Sequence, residues 1–133
     1  IYFWPSQKVS YTLYVVPKKC IIHSIYGVDI AKDITSKLKT EKGCDLVICI
    51  SHLGHQYQNE KISDTELAKL TSNIDLIIGG HTHTLLKEPL ILDNSLGEEV
   101  IINQVGSSGV YVGKIDFNFS KFDRKLSNSI VEV

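Results

Sequence analysis

No methionine occurs among the 133 residues, and the chain opens Ile1-Tyr2-Phe3-Trp4. That combination does not read as a natural start, so a fragment, a processed product or an incomplete frame is expected. Long apolar runs are also lacking. Every hydrophobic stretch is strand-sized, well short of the roughly 20 residues that a membrane-crossing helix needs, and no span is expected. No charge of one sign dominates, since 14 Lys and Arg face 15 Asp and Glu for a formal net charge of -1. This balance gives no reason to expect a nucleic acid polymer or an anionic bilayer as partner. Cysteine is sparse, and Cys20, Cys44 and Cys49 have no metal-type spacing. Cys44 and Cys49 lie in one apolar run on opposite faces of a strand, so they cannot bridge each other. Buried thiols are expected, which mildly favours a reducing compartment.

The residues that are present describe an ordinary globular domain, 43% hydrophobic and 22% charged, of a length that fits one unit. Two apolar runs, Cys44 to Ile50 and Ile74 to Ile78, are too short and too rich in Val and Ile for helices. They read as strands buried on both faces. Between them, Ser63-Asp64-Thr65-Glu66 has the form of a capping box, with Ser63 accepting from the Glu66 amide and Glu66 reaching back. A short helix through about Leu70 follows, with Leu67, Ala68 and Leu70 as its apolar stripe. The result is a βαβ unit with parallel strands. Upstream, Asp29 is expected to cap a helix whose face carries Ile30, Ile34 and Leu38, with Lys37, Lys39 and Lys42 solvated and Gly43 as the stop.

Each of the two strands runs directly into a histidine-bearing turn: Ser51-His52-Leu53-Gly54 after the first, Gly79-Gly80-His81-Thr82-His83-Thr84 after the second. Ligands bind beyond the carboxyl ends of such strands, so His52, His81 and His83 are expected to converge there. Two glycines allow a sharp turn and a close backbone approach, and histidines at i and i+2 can occupy adjacent coordination positions. These three residues are the candidate metal ligands. His55 is expected to be a solvated loop residue that could also line the site, and His23 to be structural.

Other chemistries fit less well. Gly106-Ser107-Ser108-Gly109 lacks the lysine and the helix of a phosphate loop and reads as a turn between strands. Ser51 has no acid partner at a suitable spacing for a nucleophile, and a hydroxyl there orients backbone or ligand. Cys49 belongs to the buried strand and cannot serve as a thiol nucleophile. One or two strands are expected within residues 8 to 25. Downstream, Leu90 to Leu92 and Val100 to Ile102 flank a turn at Asp93 to Gly97, a long strand runs from Val110 to Phe119, and a last one covers about Ser129 to Val133.

The two histidine turns resemble the last two motifs of the calcineurin-like metallophosphoesterases, and the surrounding sequence is similar to the 5'-nucleotidase branch. The resemblance covers most of residues 29 to 119, including Cys44 to Ile48, Asp75 to Gly80, Asn103-Gln104-Val105-Gly106, Gly109 and Gly113. It implies an α/β fold of mixed α+β character, part of a four-layer αββα sandwich, with the parallel βαβ unit in one sheet and a C-terminal antiparallel meander in the other. It further implies two divalent ions in a complete domain (zinc, manganese, iron or cobalt), His52 and His81 on one and His83 on the other. A bridging hydroxide would then hydrolyse a phosphate monoester such as a nucleoside 5'-monophosphate. That reaction needs accelerations of up to about 10²¹ in the slowest cases. Relatives of this kind are commonly periplasmic or extracellular.

The family's opening motifs, Asp-x-His, Gly-Asp and Gly-Asn-His-Asp/Glu, do not occur in residues 1–133. The chain is therefore expected to be a single partial domain without the catalytic histidine. Without a bridging carboxylate, two close cations would repel, so the isolated chain should hold at most one ion weakly and be inactive. The alternatives are a noncatalytic remnant, a metal-binding module, or a subunit that complements a separate N-terminal half.

Overall fold

A computed structural model describes residues 19–23, 27–119 and 124–132. Its elements in chain order are β1 (Lys19–His23), α1 (Val28–Thr40), β2 (Leu46–Ile50), α2 (Asp64–Leu70), β3 (Leu76–Ile78), β4 (Leu90–Asp93), β5 (Glu99–Asn103), β6 (Tyr111–Phe119) and β7 (Arg124–Glu132). The first five strands form one sheet in the order β1-β2-β3-β5-β4, and β6 and β7 pair separately. β1, β2, β3 and β5 run parallel, while β4 is antiparallel to β5. Apart from β1, the strands expected within residues 8 to 25 lie outside the described residues.

Alternation along the strands explains the layering. On one face Cys49, Ile77, Val100 and Ile102 pack with Ala31 of α1 and with Leu67 and Ala68 of α2. On the other, Leu46, Ile48, Leu76 and Ile78 meet Ile115 of β6. Helices thus cover one face and the β6–β7 ribbon the other, giving three layers. This is the reason the sequences of β2 and β3 are apolar at consecutive positions. The close approach of β6 depends on Gly113, where a Cβ would stand 2.7 Å from Val105 Cγ1.

The expected hairpin of residues 90–102 forms, but it joins the parallel sheet and does not belong to the β6–β7 layer. The physical reason lies in β5. Val100 and Ile102 are buried on the helix side, and Ile101 packs on the other. A strand with two apolar faces belongs inside a sheet, whereas β4 alternates between half-buried and exposed residues and closes its edge.

The helices also depart in detail from the sequence expectation. The N-cap of α1 is Gly27, at φ 100, and Asp29 lies in the first turn. That backbone conformation suits glycine alone. Ala31 and Thr35 are buried and Ile34 and Leu38 half-buried, while Ile30 is exposed. Thr35 is accommodated because its hydroxyl lies 2.8 Å from the Ala31 carbonyl and 3.0 Å from the Ser72 carbonyl. Gly43 does end the helix, at φ 61, with the Cys44 amide donating to the Leu38 carbonyl at 3.0 Å. Lys39 is not solvated. Its ammonium pairs with Asp75 at 2.8 Å, and the same Asp75 oxygen accepts from the Val47 amide at 2.7 Å.

In α2, Ser63 caps the Glu66 amide as expected, but the Glu66 carboxylate pairs with Lys69 at 3.1 Å. Leu67 and Ala68 are buried, and Leu70 is exposed.

Cys44 is disulfide-bonded, contrary to the expectation of a buried thiol. It lies before β2, where the chain is not yet held in a strand. Cys49 is a free, buried thiol.

Candidate metal centre

Both histidine turns emerge from the carboxyl edge of the sheet. The Ser51 amide donates to the Ile78 carbonyl at 2.8 Å, and the Gly79 amide donates to the Asn103 carbonyl at 2.8 Å. The ladder therefore continues to the point where the turns begin, and it fixes them side by side.

The His52 and His81 rings lie 5.2 Å apart, edge to face at 75°, and both residues are exposed. An imidazole bound through nitrogen at about 2.0–2.1 Å has its ring centre about 3.2 Å from the ion, so neighbouring ligands stand roughly 4.5–5.2 Å apart. The separation of this pair fits two donors on one ion. His83 is exposed on the same turn. Among the described residues no three His, Cys, Asp or Glu side chains gather closely enough to enclose an ion.

The paired glycines serve close packing, and the left-handed turn falls on the histidines. His81 has φ 74 and His83 φ 55, and neither Gly79 nor Gly80 has a positive φ. A Cβ on Gly80 would lie 2.9 Å from His52 Nδ1, and one on Gly79 would lie 2.2 Å from Asp64 Oδ2. One glycine leaves room for the His52 ring, and the other for a buried carboxyl.

That carboxyl holds the first turn. Asp64 Oδ1 accepts from the Ser51 hydroxyl at 2.5 Å, and Ser51 Oγ accepts from the Leu53 amide at 3.1 Å. Burial pushes the Asp64 carboxyl up to about 6, opposed by the Ser51 hydrogen bond, and its Oδ2 has no hydrogen-bond partner. Ser51 is thus occupied in shaping backbone. Cys49, its thiol pushed up to about 12 by burial and then by the Asp64 charge, is not a nucleophile at neutral pH.

His55 is half-buried, not freely solvated. Its amide donates to Thr82 Oγ1 at 3.0 Å, which ties the loop after the first turn to the second turn. Its Nδ1 is buried without a partner, and burial lowers its pKa. His23 falls in β1, opposite Ile50.

Sequence reasoning missed Asp64 as part of this region, because its place in a capping pattern explained it already. It also missed Thr82 and Gln104. Gln104 stands just past β5, and its position beyond a strand end, within the Asn103-Gln104-Val105-Gly106 stretch that shares the family resemblance, was the signal that could have pointed to it.

No protein-family model matches the chain. It is 34% identical over 91 residues to the trifunctional nucleotide phosphoesterase protein YfkN of Bacillus subtilis, covering 68% of this chain and 6% of that protein. It is 30% identical over 108 residues to a 5'-nucleotidase of Vibrio cholerae, covering 67% of this chain and 19% of the relative. The fold matches a 5'-nucleotidase precursor from Thermus thermophilus with a TM-score of 0.68 at 24% identity, over 81% of this chain and 23% of that one. The chain therefore spans less than a fifth of the length of these sequence relatives.

Proposed function

We propose, for a chain that belongs to the 5'-nucleotidase branch of the calcineurin-like metallophosphoesterases, that residues 51–84 supply part of a metal centre acting on phosphate monoesters. The observation that carries this reading is the pairing of His52 and His81 at 5.2 Å beyond adjacent parallel strands. In the assignment favoured by the family pattern, His52 and His81 serve one ion and His83 a second. Divalent ions bound there would neutralise phosphoryl oxygens and acidify a water. The chain's own residues do the positioning. Asp64, through Ser51, holds the first turn, and the ladder from Ile78 and Asn103 fixes the spacing of the two turns. The substrate class is a small phosphate ester, a nucleoside 5'-monophosphate being the leading member. Zinc, manganese, iron and cobalt all suit imidazole and oxygen donors. The disulfide at Cys44 fits an oxidising compartment, and so a location outside the cytoplasm, in place of the reducing one that buried thiols alone would favour.

The test is cobalt(II) binding by the chain, followed in the visible absorption of the ion. Weak binding that is lost in both His52→Ala and His81→Ala is expected. Affinity unchanged by both substitutions would remove the assignment.

A second reading, a noncatalytic remnant or binding module without turnover, is favoured for residues 1–133 taken alone because the acidic and asparagine-bearing motifs Asp-x-His, Gly-Asp and Gly-Asn-His do not occur in them. A complementing N-terminal half carrying the acidic motifs would convert this reading into the first. Phosphatase activity appearing only on mixing the chain with such a half, and abolished there by His81→Ala, distinguishes complementation from a remnant.

A further inference from the structure

Gln104 is 1% exposed, and both polar atoms of its side chain are committed to the second histidine turn. Oε1 accepts from the Thr82 hydroxyl at 3.0 Å and from the Thr84 amide, while Nε2 donates to the Gly80 carbonyl at 2.7 Å. Reversing the amide would set donor against donor at Thr84 and acceptor against acceptor at Gly80, so the partners fix its orientation.

Thr82 is satisfied in a consistent way. Its hydroxyl donates to Gln104, and its oxygen accepts from the His55 amide at 3.0 Å and from the Thr84 hydroxyl at 3.0 Å. Between these anchors lies a strained segment. The Thr82 amide donates to the Gly80 carbonyl at 3.0 Å, closing a γ-turn around His81 at φ 74. A γ-turn with a left-handed centre is the rarer and more strained kind, and a non-glycine residue persists there only when its surroundings hold it.

We propose that Gln104 is a positioning residue for His81 and His83: it grips the turn before the first histidine, between the two and after the second, and so fixes where their rings stand relative to His52. This rests on the reading of these histidines as metal ligands. The grip needs a side chain that accepts twice and donates once over a short span, and glutamine at the end of β5 supplies both functions. Groups that orient ligands without touching the ion commonly alter metal affinity by 10–100-fold when removed.

Cobalt(II) titration read in the visible bands, together with amide hydrogen exchange of metal-free protein at residues 81–84, tests the proposal. Gln104→Met keeps the volume and loses both functions. It is expected to retain the far-ultraviolet circular dichroism of the parent, to bind cobalt(II) at least about tenfold more weakly with an altered band shape, and to exchange the Thr84 amide at least about tenfold faster. Thr82→Val should show the same weakening, and Thr82→Ser, which keeps the hydroxyl, should restore affinity. If Gln104→Met does not fold, the Thr82 pair decides.

Parental affinity and exchange in Gln104→Met, or Thr82→Val indistinguishable from Thr82→Ser, would overturn the positioning role. Absence of cobalt binding by the parent chain would instead strike the ligand reading. In that case accelerated exchange in Gln104→Met upholds the ordering of the turn by Gln104, and parental exchange removes it.

Discussion

Gly80 has no side chain because the space belongs to His52. Gly80→Ala would place a methyl 2.9 Å from Nδ1 of that ring, so the ring must move while the strand behind it remains. Cobalt(II) affinity is expected to fall by about tenfold, within the range for disturbed ligand support, with the thermal midpoint little changed. Titration beside a melting curve checks this, and undiminished affinity would contradict the packing argument.

Asp64 gives a prediction of a different kind. Its folded pKa of about 6 exceeds the ordinary 3.8 because burial penalises the ionised carboxylate. The penalty is absent below about pH 3.8, grows between there and pH 6, and is complete above. Asp64→Asn should therefore melt like the parent near pH 4 and be more stable at pH 8, by up to about 3 kcal/mol. Melting curves at the two pH values decide, and a parent at least as stable as the variant at pH 8 would refute the burial account.

At the scale of elements, the amino end of the sheet is tied by Asp75, which accepts from both Lys39 of α1 and the Val47 amide of β2. Asp75→Ala takes the side-chain acceptor from the Val47 amide and leaves the Lys39 ammonium only the Asp45 carbonyl at 3.1 Å. A loss of about 1–3 kcal/mol in urea unfolding is expected, and a loss under about 0.5 kcal/mol would show that water replaces the carboxylate.

This contact was not legible in the sequence, where Lys39 read as one of several surface lysines. Period and capping revealed what is local: the two strands, α2 with its Ser63 cap, and the Gly43 stop. Pairing across sequence was harder. The apolar triplet Val100-Ile101-Ile102 carried the information that β5 lies inside the parallel sheet, yet it also fitted a simple hairpin. At the candidate site the histidines stood out by residue type and by placement after strands. Gln104 and Asp64 did not, because a buried hydrogen-bonding role depends on partners that only the fold brings near.

For the molecule as a whole, the candidate centre is assembled from separate parts of the sheet: His52 after β2, His81 and His83 after β3, and Gln104 after β5. Helices on one face and the β6–β7 ribbon on the other keep these strand ends in register. The Gln104 grip joins the outer β4–β5 hairpin to the ligand turn. An ion that prefers the ordered turn must then, by mass action, also favour chains in which that hairpin is docked. At an ion concentration of 100 times Kd, the gain is about 2.7 kcal/mol for a ligand bound only by the native form. Protease cleavage at the β4–β5 turn is expected to slow when cobalt(II) is added to the parent and to be indifferent to it in His81→Ala; cleavage that ignores the ion in both would separate hairpin from site. Under this linkage the hairpin is a remote lock on the centre, and occupancy by a single ion is felt at the far edge of the sheet as resistance to being opened.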